Sequence, residues 1–387
     1  MGKNLLIAHG GGPTAVINCS LQGAVEAARA SGQVDKIYAA RFGAEGILAG
    51  DLIDLTDVPG ETISRLRNTP ASAIGSCRRK LGEADYPTVL ETLKKFDIDC
   101  FFYNGGNDSM DTCHKVNELA KREGIDLRVI GIPKTMDNDL DLTDHCPGFG
   151  SAARYAALSA SELALDASGL PIHVVVMELM GRNAGWVTAA SAMAARLTDC
   201  RVLTYLPEVP VDMDRMLGDI EREYARGKGL LVTVSEGLCG PDGKPLSDTG
   251  IVDGFGHTVP GGTAQHISDA VMQKLKIKSR AEKPGLLGRA SIPYVSPVDR
   301  NEAYAVGEYA VRAALAGESG SMVAIDAVRE PSYGSSLSLV PLAGVANVEK
   351  KFPLEWIVDG SRIDDSFFDY ALPLMGSDFP EYALLRG

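Results

Sequence analysis

No apolar run in this chain approaches the ~20 residues needed to cross a bilayer, so membrane-spanning classes are excluded and we expect no membrane partner. No leader is visible either: Met1-Gly-Lys-Asn runs straight into an apolar strand, which reads as a cytoplasmic protein without a signal peptide. No two cysteines form a CxxC pair. The seven (Cys19, Cys77, Cys100, Cys113, Cys146, Cys200 and Cys239) are scattered and odd in number, which fits reduced thiols better than a disulfide framework. Positive charge is in deficit. The formal net charge of −13 argues against a nucleic-acid partner, which needs basic patches, but leaves room for a local cationic pocket around a small anion. The first strand is not followed by GxGxxG and an acidic residue about 20 positions on, so a nicotinamide-type dehydrogenase is set aside. There is no internal repeat and no low-complexity segment.

What remains is an ordinary soluble composition: 45% hydrophobic and 23% charged over 387 residues, long enough for two or three domains. Forty-two glycines suit a loop-rich α/β enzyme. Short apolar runs alternate with helical periodicity along the chain. Strands are expected at 4–8, 36–41, 98–103, 127–132, 171–177, 200–206, 229–235 and 321–325. Helices are expected at 15–31, 86–96, 108–122, 151–167, 186–195, 212–226, 261–276 and 301–315. The stretch 286–295 resists assignment. The acidic, aromatic tail from about 330 reads as an appendage packed on the body. A domain boundary is expected near 145–150, where βα alternation resumes.

Two loops organise the rest: Tyr103-Asn-Gly-Gly-Asn-Asp-Ser109 and Pro133-Lys-Thr-Met-Asp-Asn-Asp139. Each follows a buried-strand run, so both leave one sheet at the edge where α/β proteins bind ligands. The first has glycines that let backbone N–H groups approach an anion. The second carries a lysine and two aspartates. His9-Gly-Gly-Gly-Pro-Thr14 repeats the strand, glycine loop, helix arrangement that cradles phosphate; a plain tight turn is the alternative. Gly75-Ser-Cys-Arg-Arg-Lys80 puts three cations near the same edge, and a solvated face is the usual reading of such a run. Gly181-Arg182 follows the 171–177 strand, where an arginine is placed for a substrate anion. Glu236, at the end of the 229–235 strand, is placed to accept hydrogen bonds from sugar hydroxyls or to cap the loop. His173 reads as a packed histidine rather than a ligand.

These residue types suit phosphoryl transfer, which needs cations around the moving group, a metal and a base for the attacking hydroxyl. Asp137 is the natural base beside Lys134. Asp139 could help hold Mg²⁺ or orient the site, since Mg²⁺ uses only one or two protein oxygens plus phosphate. Arg78, Lys134 and Arg182 could neutralise phosphate charge. The competing reading of Asp-Asn-Asp is an Asx-rich turn.

In order along the chain, the motifs resemble those of the phosphofructokinases. Gly10-Gly-Gly-Pro-Thr-Ala-Val-Ile-Asn18 is similar to their first phosphate loop, and Gly75-Ser-Cys-Arg78 to the loop with their transition-state arginine. Gly105-Gly-Asn-Asp-Ser109 and Pro133–Asp139 resemble their two signature loops. Met180-Gly-Arg-Asn-Ala-Gly-Trp186 and Val234-Ser-Glu-Gly237 resemble their sugar-phosphate segments. The resemblance implies two doubly wound, Rossmann-like α/β domains with the active site in the cleft between them. Residues 1–147 plus about 257–300 would bind the donor. Residues 148–256 plus about 301–387 would bind the sugar phosphate. It also implies a homodimer or homotetramer. Family members that use ATP usually have glycine where Asp108 and Lys134 stand, and pyrophosphate users have aspartate and lysine. A carboxylate at 108 would repel the α-phosphate of a nucleotide, and a lysine at 134 adds a cation for a short donor. The implied reaction is reversible phosphoryl transfer from pyrophosphate to the 1-hydroxyl of fructose 6-phosphate, with Mg²⁺.

By the same resemblance Asp137 takes the proton, Gly11 contacts pyrophosphate, and Thr135, Met180, Gly181, Arg182 and Glu236 contact the sugar phosphate. Arg289 would bind its 6-phosphate, and Arg280 would be the arginine lent to a neighbouring subunit. Two positions depart from the pattern. Asn107 replaces the aspartate usual at the metal, and Gly288-Arg289 replaces Gln-Arg. The departures keep other readings open: another acceptor such as sedoheptulose 7-phosphate, ATP as donor, or a weakly catalytic metabolite-binding protein.

Overall fold

The computed structural model describes residues 2–170, 173–227, 229–252, 258–260 and 262–385; within 248–252 and 258–260 only the backbone is described. The chain divides into two compact units, Met1–Ser151 with Arg289–Lys350, and Ala152–Gly288 with Lys351–Gly387. In chain order the strands used below are β1 (Lys3–His9), β2 (Val34–Ala40), β3 (Leu52–Asp54), β4 (Ile98–Gly105), β5 (Arg128–Pro133), β6 (His173–Leu179), β7 (Val202–Tyr205), β8 (Gly229–Ser235), β9 (Asp248–Val252), β10 (Thr258–Pro260), β11 (Lys278–Glu282), β12 (Ser321–Val328) and β13 (Gly334–Pro341).

The first unit is built on a seven-stranded sheet of order β13-β12-β5-β4-β1-β2-β3. The interior pairs are parallel, and antiparallel β3 and β13 close the edges. Both faces are covered, which is why its strands read as continuous apolar runs. Period-2 alternation sends Leu6, Ala8, Phe101 and Tyr103 into one buried cluster. Leu5, Ile7, Cys100 and Phe102 enter the other. The chain leaves β1 for β2 on one side and returns to β4 on the other, so β1 and β4 flank the crevice where strand order reverses.

Helix Ile17–Ser31 lies against helix Pro297–Leu315 at backbone distance. A Cβ on Gly23 would stand 2.1 Å from the Tyr304 carbonyl oxygen, and one on Gly307 would stand 2.0 Å from that of Ser20. This close approach holds the 297–315 helix in the first unit, contrary to the expectation that 301 onward joins the sugar domain. Segment 262–288 likewise belongs to the second unit; the expected boundary at 257 lies outside the described residues.

In the second unit four parallel strands run in the order β11-β6-β8-β7. β6 and β8 are buried throughout. Met216, Leu217 and Ile220 of helix Met213–Ala225 pack over this sheet with Ala264 and Ile267 of helix Thr263–Ala270. Helix Met213–Ala225 starts at Asp212, whose carboxylate accepts from the Asp214 and Arg215 amides, as an N-cap should. The Ala-rich helix is Phe149–Gly169, with Ala156, Ala157, Ala160 and Ala167 buried. The tail divides. β13 completes the first sheet, whereas Phe352, Trp356, Phe367 and Tyr370 form an aromatic cluster around Trp186 in the second unit. The expected 186–195 helix is two, Trp186–Ala190 and Met193–Thr198. Of the strand expected at 171–177, residues 171 and 172 lie outside the described residues, as does 261 at the start of the next expected helix.

Candidate active site

The loops leaving β1, β4 and β5 come together in the first unit. The Gly10 amide donates to the Asn104 carbonyl at 2.9 Å, and the Gly11 amide to that of Cys77 at 2.9 Å. Gly10 and Cys77 form a parallel bridge, and Ser76 Oγ donates to the Gly11 carbonyl at 2.7 Å. The 75–78 segment is therefore stitched alongside the glycine loop. Gly11 has φ 74°, a conformation costly for any residue with a Cβ. A Cβ on Gly12 would stand 2.2 Å from Arg289 Nη1 and 3.4 Å from Arg78 Nη2, and one on Gly11 would stand 3.5 Å from Lys134 Nζ. Three cations converge on backbone that carries no side chains, which is how an anion is held at close range. Of the cation run, Arg79 is spent on Glu45 and Asp85 and Lys80 on Asp108 at 3.2 Å. Of the three, only Arg78 reaches the glycine loop.

Lys134 follows β5, and its amide continues the ladder by donating to the Gly105 carbonyl at 3.0 Å. Its side chain is 3% exposed, and Nζ donates to the Gly12 carbonyl at 2.8 Å. Burial lowers its pKa to about 8. Asp137 and Asp139 work against that shift, and Arg289 and Arg78 add to it. His9, one residue before the glycine loop, is fully buried; burial and then Lys134 lower its pKa to about 3, so it stays neutral. Its Nδ1 shares a hydrogen with Ser72 Oγ at 2.8 Å, tying β1 to the arginine-bearing loop. Sequence reasoning passed over His9, although a polar residue ending an apolar strand was the signal.

The Asp137-Asn-Asp139 turn is fixed by hydrogen bonds to the Thr135 and Asn138 side chains. Asn138 has φ 54°, a left-handed conformation asparagine tolerates, and its Oδ1 accepts from the Cys146 amide at 3.0 Å. Asp137 and Asp139 thus flank a fixed corner. The Asp137 amide donates to Thr135 Oγ1 at 3.0 Å, and Thr135 bridges to Gly148. Asn107, opening helix Asn107–Arg122, donates through Nδ2 to Asp139 Oδ2 at 3.2 Å. The remaining Oδ1 atoms of Asn107 and Asp139 are buried without a hydrogen-bond partner among the described residues, and burial raises the Asp139 pKa. Two orphaned buried oxygens, on side chains hydrogen-bonded to each other, fit a hard cation such as Mg²⁺. Among the described residues no group of three or more His, Cys, Asp or Glu could hold a metal alone, so the remaining oxygens would be those of phosphate and water.

In the second unit the loops after β6 and β8 are neighbours. The Glu236 amide donates to the Leu179 carbonyl at 2.9 Å, and Ser235 Oγ donates to the Gly181 carbonyl. A Cβ on Gly237 would stand 1.8 Å from the Arg182 carbonyl oxygen. Met180, Gly181, Arg182 and Glu236 are thereby grouped at one strand edge, with Arg182 exposed and Glu236 half-exposed. Arg280 does not join them. It lies on β11, a strand the sequence reading missed, in register with Val175 in the middle of β6, and it is exposed. Arg289, expected on the sugar 6-phosphate, lies over Gly12 in the first unit.

The phosphofructokinase family model matches residues 4–314. A pyrophosphate--fructose 6-phosphate 1-phosphotransferase from Methylococcus capsulatus is 40% identical over 98% of this chain and 94% of that protein. A sulfofructose kinase from Alkalicoccus urumqiensis is 37% identical over 88% of each. The crystal structure of a pyrophosphate-dependent phosphofructokinase from Nitrosospira multiformis superposes with a TM-score of 0.88 at 39% identity, covering 98% of this chain and 94% of that one. The phosphate-type glycine loops, the convergent cations and the acidic corner are thus those of an enzyme lineage: this chain belongs to the phosphofructokinase family.

Proposed function

We propose that the protein is a phosphotransferase that moves a phosphoryl group reversibly between pyrophosphate and the 1-hydroxyl of fructose 6-phosphate, forming fructose 1,6-bisphosphate and phosphate. The observation that carries this reading is the buried Lys134 ammonium beside Gly11 and Gly12, with Arg78 and Arg289 over the same loop. Three cations gathered on one glycine loop suit a short, highly charged donor. Asp108 stands exposed at the first turn of its helix, paired with Lys80; a carboxylate in this place would disfavour a nucleotide's longer phosphate chain. Relatives named for this activity span nearly the whole chain.

In the forward direction the sugar O1 attacks the terminal phosphorus, the bridging P–O bond breaks, and phosphate leaves. Asp137 accepts the hydroxyl proton. Lys134, Arg78 and Arg289 offset the charge that builds on the transferring oxygens and the leaving group. Asn107 and Asp139 would hold Mg²⁺, which when bound neutralises phosphate oxygens. Thr135, Met180, Gly181, Arg182 and Glu236 would position the sugar phosphate. Arg280, exposed mid-strand, is the arginine we assign to a neighbouring subunit in a homodimer or homotetramer. Seven free cysteines support a reducing, cytoplasmic setting.

The donor is tested by comparing pyrophosphate with ATP at saturating fructose 6-phosphate and Mg²⁺; ATP turnover equal to or above that with pyrophosphate contradicts the reading. A second acceptor deserves a parallel assay, because a relative named for sulfofructose lies at 37% identity. A panel of fructose 6-phosphate, sedoheptulose 7-phosphate and 6-sulfofructose at fixed pyrophosphate ranks the acceptors by kcat/KM.

A further inference from the structure

The corner that carries Asp137 and Asp139 is held from behind by a residue far away in sequence. Segment 349–350 runs antiparallel to it, with Leu140 bridged to Glu349. The Lys350 amide donates to the Asp139 carbonyl at 2.8 Å. The Lys350 ammonium then reaches across the loop and donates to the carbonyls of Asp144 at 2.8 Å and Thr143 at 3.1 Å. One residue therefore ties the carbonyls of 139, 143 and 144 together, the first through its amide and the other two through its ammonium. It is half-buried, and the two carbonyls replace part of the hydration its ammonium loses. The other side of the loop is already fixed. His145 sits between Asp144 and Glu302, Arg329 pairs with Asp144, and Asn138 holds the Cys146 amide. Lys350 closes the remaining side, the one facing the acidic corner.

We propose that Lys350 is a positioning residue for the reaction: it sets where the Asp137 carboxylate stands without touching either substrate. The inference rests on the proposed transfer chemistry for its kinetic consequence, though not for its geometry. Lys350 is also the last residue of the first unit. The next two residues fasten to the acceptor-side loop of the second unit, Lys351 Nζ to the Asn183 carbonyl at 3.5 Å and Phe352 edge-on to Trp186 with ring centroids 5.1 Å apart. Consecutive residues thus anchor the base loop and the acceptor loop, each within its own unit.

A misplacement of about 1 Å at a reacting group is worth up to ~100-fold in rate. Lys350→Met should therefore lower kcat at least ~10-fold and leave the KM for pyrophosphate within about 2-fold, because Gly11, Gly12 and Lys134 are untouched. Lys350→Arg, which keeps donors and charge, should recover most of the loss. Lys350→Gln serves if the methionine variant does not fold, with the same expected direction. Hydrogen exchange of peptides covering 137–146 supplies a readout independent of turnover: it should speed up in Lys350→Met and stay near wild type in Lys350→Arg. Unchanged exchange overturns the proposal. So does kcat within 2-fold of wild type, or an equal loss in kcat and both KM values that arginine does not rescue. Wild-type protein that fails to turn over pyrophosphate with fructose 6-phosphate would remove the proposed reaction, and the exchange result would still decide on Lys350.

Discussion

The two units differ in how far they bury the groups proposed for their sites, although Arg78 of the first is exposed. In the first, a lysine is 3% exposed and wedged under a glycine loop, a neutral histidine is buried beside it, and two carboxylates share a fixed corner. In the second, the central strands β6 and β8 are equally dry, yet Arg182 and Arg280 are exposed and Glu236 half-exposed. Burying a charge is costly unless it is paired, so the first arrangement persists only because backbone carbonyls and opposite charges surround each group. Such preorganised charge acts on a transition state without having to move. Exposed arginines can swing to meet a substrate and contribute mainly to its capture. On the proposed reading, the electrostatics of transfer would belong to the first unit and acceptor selection to the second.

Removing the base should produce the largest effect. Asp137→Ala should lower kcat by ~10²–10⁴-fold, the usual cost of losing a general base, with little change in pyrophosphate binding by calorimetry; near-normal turnover would move the base elsewhere. Next comes the buried cation. Lys134→Met should raise the KM for pyrophosphate and lower kcat, together at least ~10-fold in kcat/KM, whereas Arg182→Met should raise chiefly the KM for the acceptor. If the two substitutions give the same pattern, the division between units is wrong.

Acidity sharpens the contrast further. Lys134 has its pKa lowered to about 8, below the ~10.4 of a free lysine. Above about pH 8 the folded protein has lost this proton while the unfolded chain still binds it. Stability therefore gains from this group between about pH 8 and 10.4, but pyrophosphate affinity falls over the same range. Lys134→Arg should move that fall to higher pH in a plot of log kcat/KM for pyrophosphate. The smallest catalytic effect is expected at the helix contact remote from chemistry. Gly307→Ala puts a methyl 2.0 Å from the Ser20 carbonyl oxygen, so denaturation should show a loss of ~1–3 kcal/mol with kcat nearly intact in the surviving folded protein.

Legibility in the sequence followed local pattern rather than the division into units. The glycine loops, the Asp-Asn-Asp corner and the strands leading into them were readable because buried parallel strands are unbroken apolar runs ending in unusual residues. β11 was not. Lys-Ser-Arg-Ala-Glu carries no apolar alternation, and only its pairing with β6 makes it a strand. Nor could spacing show that helix Pro297–Leu315 nests on helix Ile17–Ser31, since the contact joins glycines hundreds of residues apart. The place of Arg289 over Gly12, the tie from His9 to Ser72 and the reach of Lys350 are tertiary facts of the same kind. They depend on which loops meet, which local periodicity does not encode.

The most direct measurement is steady-state turnover with pyrophosphate against ATP, at saturating fructose 6-phosphate and Mg²⁺, for wild type beside the Asp108→Gly, Lys134→Gly double variant. The account predicts turnover with pyrophosphate in the wild type, little or none with ATP, and loss of the pyrophosphate reaction in the double variant. Wild-type turnover with ATP that matches or exceeds the pyrophosphate rate, or a double variant that uses pyrophosphate as well as wild type, would contradict it.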